Sequence, residues 1–317
     1  MFNQYHLIKE LELHALDLKD ARRPAGIDEN PEAEIAESET IKDQILHMFK
    51  TNKVAAVSAL VILLFILMAT FAPLVAPYHP NAQSLVDRLQ DPTAKHWLGT
   101  DEFGRDVLSR MIYGARISLL VGLIPTTISM TIGTLLGLIA GYKGGRTDYF
   151  IMRLADVLLA FPSLLLAMLI AYTIGKGLLT IFIALSFVSW AGTARVVRSL
   201  TLSLREKEYV EAAVSVGVSK TKIILRHLLP NCIPTLIILF TMNVPGNILS
   251  ESSLSFLGVG AQPPSTSWGL MVFRSKKYLS KTPIATLAPG VAVLILVMAF
   301  NFLGDALRDA IDPYMKE

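Results

Sequence analysis

Apolar residues fall in long unbroken blocks along this chain, and the charged residues are gathered between them. Val54–Ala76, Ile117–Tyr142, Val157–Gly175, Gly177–Ala194, Leu228–Ser250 and Thr282–Gly304 run 18 to 26 residues each without a charged side chain. A helix needs about 20 mostly apolar residues to cross a bilayer, so the blocks predict six helical spans. Short segments of alternating polarity, the mark of a membrane β-barrel, are missing. Pro125, Pro162, Pro234, Pro245 and Pro289 lie in or at the ends of five blocks, where each removes a backbone donor and favours a kink. Gly133, Gly137 and Gly141 recur every fourth residue in the second block, a spacing that lets two helices approach closely.

The longest polar break in the second half of the chain, residues 196–230, has a pattern of its own. Tyr209, Ala212, Ala213 and Val216 stand at i, i+3, i+4 and i+7, one apolar face of a short helix. Glu206, Lys207, Glu208 and Glu211 fill the remainder, with Lys207 and Glu211 spaced to pair. Gly217 stands where a left-handed helix terminator suits glycine. Ser219 is placed to cap a second helix over Lys220 to Leu229, and Pro230 and Pro234 mark re-entry into the next span. The break therefore predicts a helix, a glycine turn and a second helix. Its apolar face either packs back on the bundle or presents a knob to a partner's groove.

Composition agrees with a lipid-solvated chain. Of 317 residues, 52% are hydrophobic and 17% charged, against about 25% charged in soluble domains. Mean hydropathy is +0.50. Residues 1–53 hold eleven acidic and seven basic side chains and no apolar core, so they do not read as a signal peptide. Ala21–Thr40 has the composition of a disordered segment. Ile41, Ile45, Met48 and Phe49 predict a short helix near 41–50 that lies on the membrane surface or simply begins the first span.

Charge orients the spans. With a cytoplasmic N-terminus, 19 of the 29 basic residues fall on the inner side, the side that Lys and Arg favour. Both termini and the 196–230 break are then cytoplasmic. The expected order is a tail (1–53), a first span (54–76), an extracytoplasmic loop (77–116), a core of five spans (117–307) and a C-terminal end (308–317).

The chemistry that is missing narrows the function. A lone cysteine, Cys232, forms no intrachain disulfide. The six histidines have no metal-ligand spacing, and no Gly-x-x-x-x-Gly-Lys-Ser/Thr occurs. Net charge is only +3, with no aromatic-basic stripe, which gives no support for nucleic acid. Ionisable groups are nearly absent from the blocks. Asp156, with Arg153 three residues before it, is the main exception, read either as a snorkelling ion pair or as part of a transport path. Asn243, Ser250 and Ser253 are small polar groups that either line such a path or bond back to their own helix. Movement of a solute uphill would need an outside source of energy, an ATPase partner or an ion gradient.

Several stretches also resemble a known family. Glu211-Ala212-Ala213, Gly217 and Leu229-Pro230 resemble the EAA loop of bacterial ABC-importer membrane subunits. His227-Leu-Leu-Pro-Asn231 is similar to the dipeptide, oligopeptide and nickel branch. WLGTDEFGRDVLSR at 97–110, SLSFLG at 253–258 with Gln262-Pro-Pro264, and FNFLGD at 300–305 look like its second-permease subtype. The resemblance runs from about Lys42 to Pro313. It implies an all-α permease with the type I importer fold in the bacterial cytoplasmic membrane. It also implies a homologous second permease, two ATPase subunits that hold ATP and Mg, and an extracytoplasmic solute-binding protein. The chain itself would be non-catalytic. Tyr209, Glu211, Ala212, Ala213, Val216, Gly217, His227 and Pro230 would make the ATPase-coupling loop, and Asp156, Asn243, Ser250 and Ser253 are candidates for the path. The 97–110 block reads as scaffolding of its loop or as contact with the binding protein. An ion-coupled carrier acting alone and a non-transporting scaffold remain the alternatives.

Overall fold

The computed structural model describes residues 41–311; the expected disordered segment 21–40 lies outside them. The described residues fold almost wholly as helices, and the only extended pairing among them is one antiparallel bridge, Thr100 to Asp106. Five helices are long and apolar enough to cross a membrane, six if a bent pair forms one span.

Helix α1, Ile41–Thr51, leads through Asn52 into α2, Lys53–Thr70. The Asn52 side chain accepts from the Ala55 amide at 3.1 Å, satisfying one of the free donors at the start of α2. A short turn of helix, α3 (Ala72–Val75), follows. The apolar side of α1 packs against the bundle. Ile45, Met48 and Phe49 cluster with Ile237, Ile238, Leu303, Ala306, Leu307, Ala310 and Ile311 from two later helices.

Helix α4, Val107–Lys143, is 37 residues long, about 55 Å at 1.5 Å per residue. It starts ten residues before the apolar block, because Asp106 caps it: Oδ2 accepts from the Ser109 amide at 2.7 Å. Its glycine row packs along α7, Leu178–Arg205. A Cβ on Gly133 would lie 2.6 Å from the Trp190 carbonyl oxygen, and one on Gly137 2.6 Å from that of Ala194. The two backbones therefore touch, and no larger residue fits between them.

The third expected span is broken. Residues 145–160 and 163–174 form two helices, α5 (Gly145–Ala160) and α6 (Ser163–Ile174), which meet at 92°. Pro162 stands at the break. Phe161 before it is extended, φ −94° and ψ 142°, the conformation that a following proline favours.

Beyond α7 come α8 (Glu208–Ser215) and α9 (Lys220–Ile223). A π-helical turn over Ile224–Leu228 carries α9 into α10, Leu229–Phe256. The second helix of the hairpin therefore does not stop before the span. Pro230 follows directly on the π-helical turn within this continuous helix, and Pro234, Pro245, Pro125 and Pro289 likewise stay inside helices that continue past them.

Helix α11, Trp268–Ser275, lies in a segment that shows no apolar block, and α12, Pro283–Ile311, closes the bundle. Trp268 is wholly buried and plugs the space between α2, α4 and α12. Its indole Nε1 donates to the Met111 carbonyl at 3.0 Å, and its ring meets Phe65 edge-on at 5.4 Å.

Candidate functional site

The hairpin after α7 is built on a buried anchor. Val210 is 2% exposed and packs with Ala213 and Val218 against Leu138, Tyr142, Val197, Leu200 and Leu204 at the ends of α4 and α7. Tyr209, Glu211, Ala212, Val214 and Val216 are on the outside, and Val216 is 84% exposed. One side of α8 is thus fixed to the bundle and the other is free. Of the four residues assigned to one apolar face by spacing, Ala213 turns half inward and the other three stay exposed. Glu208 and Glu211 lie in the first turn, where negative charge suits the helix dipole.

The turn is closed by hydrogen bonds. The Val218 amide donates to the Ala213 carbonyl and the Gly217 amide to that of Val214, each at 3.0 Å. This is the Schellman arrangement, and it needs a left-handed residue after the cap. Gly217 supplies it with φ +82°. Ser219 precedes α9 but its hydroxyl makes no capping hydrogen bond. His227 is half-buried in the π-helical turn, with its ring 6.5 Å from that of Tyr209, and Pro230 is exposed just after it. An open cleft between the hairpin and the bundle is lined by Lys143, Arg205, Glu206, Glu211 and Lys220 among others.

The path candidates are not gathered into one site. Ser250 and Ser253 donate to Gly246 O and Leu249 O, each at 2.8 Å, so both hydroxyls bond back to their own helix. Asn243 is half-buried on the same helix. Asp156 on α5 pairs with Arg195 on α7 at 2.6 Å and not with Arg153. Helix α7 lies against α5, and it brings Arg195 across to the carboxylate.

Glu251, the first ionisable residue after the fifth block, is wholly buried. Its Oε1 accepts from Ser255 Oγ at 2.6 Å and from Ser267 Oγ at 2.8 Å. Those serines in turn accept the Ala261 and Leu270 amides. One carboxyl thereby ties the end of α10, the following loop and the start of α11 together, while Oε2 is buried without a partner.

At the end of α4 away from the hairpin, the 97–110 block forms a buried ionic cluster. Asp101 Oδ2 binds Arg105 Nε at 2.7 Å and Arg110 Nε at 3.3 Å, and Glu102 lies 3.5 Å from Arg274 of α11. Asp106 has a second task besides capping: Oδ1 meets His96 Nδ1 at 2.9 Å. Asp101 and Arg105 pair four residues apart. The cluster joins loop, α4 and α11. In the same loop, hydrogen bonds from Lys95 and then Ser84 hold the Asp87 carboxyl below its ordinary value.

Arg195, Val210, Glu251 and Trp268 were the residues missed by reading the pattern alone. Three had a signal. Arg195 is the first charge after the fourth block, Glu251 the first after the fifth, and Ser267 before Trp268-Gly-Leu-Met-Val-Phe is a helix start.

The comparisons with known proteins fit this geometry. Residues 133–317 match the family model described as binding-protein-dependent transport system inner membrane component, and residues 43–92 match the N-terminal TM domain of oligopeptide transport permease C. The chain belongs to this family of transport-system inner membrane components. It is 44% identical over 267 residues to the dipeptide transport system permease protein DppC of Alkalihalophilus pseudofirmus, covering 84% of this chain and 88% of that one. It is 39% identical to the oligopeptide transport system permease protein OppC of Bacillus subtilis, covering 87% and 90%. It is 40% identical to the glutathione transport system permease protein GsiD of an Escherichia coli O6 strain, covering 93% and 98%. Among solved structures, an inward-facing conformation of the MetNI methionine ABC transporter superposes with a TM-score of 0.55 at 17% identity. That match covers 65% of this chain and 97% of the other, and it identifies the fold as the type I importer permease fold.

Proposed function

We propose that this chain is one of two transmembrane subunits of an ATP-driven importer in the bacterial cytoplasmic membrane, and that it carries peptides or a related small solute. The solute class follows from what similar permeases are named for. The hairpin faces the cytoplasm together with both termini, as the distribution of Lys and Arg favours, and the 77–106 loop faces outward toward a solute-binding protein. Helix α8 is the coupling element. Its exposed side, Tyr209, Glu211, Ala212 and Val216, seats in a groove of an ATPase subunit, while Val210 and Ala213 hold it to the bundle. ATP and Mg belong to the ATPase pair, and this chain does no chemistry of its own.

The observation that supports the coupling role is the two-sided packing of α8. An exposed apolar side on a helix whose other side is fixed to α4 and α7 can pass a displacement to the spans. Rigid-body motion of the ATPases would reach the bundle through that contact and through the π-helical turn into α10. Small polar groups on α10, Asn243, Ser250 and Ser253, and Asp156 on α5 belong to the path in this reading.

The test is uptake and ATP hydrolysis by the reconstituted complex. Val216→Asp and Ala212→Trp change only the exposed side of α8. Both are expected to assemble the permease pair normally and to lose solute-stimulated hydrolysis and uptake together. Gly217→Pro, which breaks the turn, is expected to do the same. Unaltered uptake in all three would contradict the coupling role.

A further inference from the structure

The Asp156–Arg195 pair is an odd object for a membrane span. The two side chains are 50% and 56% exposed, and 2.6 Å apart. They form no other hydrogen bond or ion pair among the described residues. Their depth follows from α4, which α7 packs against. The residue before Arg195 meets both Gly133 and Gly137. Those glycines lie six to ten residues short of Lys143, about 9–15 Å down the helix. The pair therefore sits well within the uncharged length of α4. The neighbouring surface is apolar, with Leu154, Val157 and Val196 also exposed.

A half-exposed ion pair at that depth does not suit lipid. Ionisable groups inside spans nearly always turn to the bundle interior or to water, and lipid contact would strip both charges of solvation. Such a face suits the interior of the assembled permease pair or a water-filled space, not lipid. Gly192, three residues before Arg195 on α7, is exposed, and an added Cβ there would meet nothing within 4 Å.

We propose that Asp156 and Arg195 form a recognition site on the transport path for a zwitterionic solute with an ammonium and a carboxylate, as in a short peptide. Arg195 has a planar fork of donors, of which one is engaged by Asp156, and it takes a carboxylate in two parallel hydrogen bonds. Asp156 has one carboxylate oxygen free for an ammonium group. The resting ion pair is the closed form: the solute exchanges each partner for one of its own charged ends, so neither charge is left bare at any stage. The inference rests on the importer reading, and it adds the charged termini as the feature the path reads.

The experiment uses the assembled permease–ATPase complex in lipid nanodiscs, on a Cys232→Ser background, with Gly192→Cys as a reporter. A charged, membrane-impermeant maleimide is expected to label position 192. Millimolar dialanine is expected to slow labelling, and the uncharged N-acetyl-dialanine amide is not. Arg195→Gln should leave labelling intact and abolish the protection by dialanine, and Asp156→Asn should weaken it. Loss of one charge-assisted contact predicts about a tenfold weaker effect of dialanine. No labelling, or labelling that dialanine and its uncharged analogue slow equally, would overturn the inference. Its failure is separable from that of the importer reading, which stands or falls on ATP-driven uptake by the unmodified complex.

Discussion

Three glycines hold the centre of the bundle by what they lack. Gly133, Gly137 and Gly141 let α4 lie directly on the backbone of α7, where a Cβ on Gly137 would come within 2.8 Å of Val197 Cβ. Gly137→Leu is therefore expected to destabilise the subunit by about 1–3 kcal/mol or more through overpacking, read as a lowered Tm of the detergent-solubilised complex. Trp268 is the opposite case, a large side chain that fills its space. Trp268→Ala is expected to cost about 3–5 kcal/mol, whereas Trp268→Phe loses mainly the Met111 hydrogen bond, about 1 kcal/mol. Denaturant titration followed by tryptophan-independent circular dichroism separates the two. Asp101 accepts from Arg105 and the Phe103 amide and ion-pairs with Arg110 in a buried cluster. Asp101→Ala removes the nearest carboxylate of two buried guanidinium groups, leaving Arg105 with Glu102 and Arg110 with the Pro80 carbonyl, and is expected to cost about 3–5 kcal/mol, with loss of folded subunit from the membrane as the measurement.

At the scale of elements, apolar blocks were enough to find most spans. An uninterrupted apolar run of about 20 residues has few alternatives once water is excluded, so α2, α4, α7, α10 and α12 were legible. Their ends were not, since caps and tertiary contacts set them: Asp106 starts α4 ten residues early, and α10 runs on past Glu251. Pro162 sits in the third block as visibly as Pro125 in the second, yet one breaks its helix and the other does not. The same residue type gives both outcomes, and no local pattern records which. The hairpin was legible because Gly217 and the spacing around it obey local rules. What spacing could not tell was which side of α8 is buried. Val210, which anchors it, falls outside the apolar face that the periodicity picked out, and Ala213, which falls inside it, turns toward the bundle. Val210→Asp should therefore unseat the whole hairpin and lower the yield of folded subunit, whereas Val216→Asp should not. Comparing their yields by fluorescence size-exclusion of tagged protein checks this.

At the scale of the molecule, the two ends of α4 are built differently. The end with the 77–106 loop is tied by ions and by Glu251 into one body with α11. The hairpin end carries an exposed apolar side on a single fixed helix. A transporter that is worked from one side needs this asymmetry: a firm frame at one end and a handle at the other. In the proposed function the handle is gripped by an ATPase. A photo-crosslinking amino acid placed at position 216 of the assembled complex tests it most directly. The account predicts efficient crosslinks from position 216 to the ATPase subunit and none from the buried position 210. Crosslinks from 216 only to lipid, or only within this chain, would contradict it.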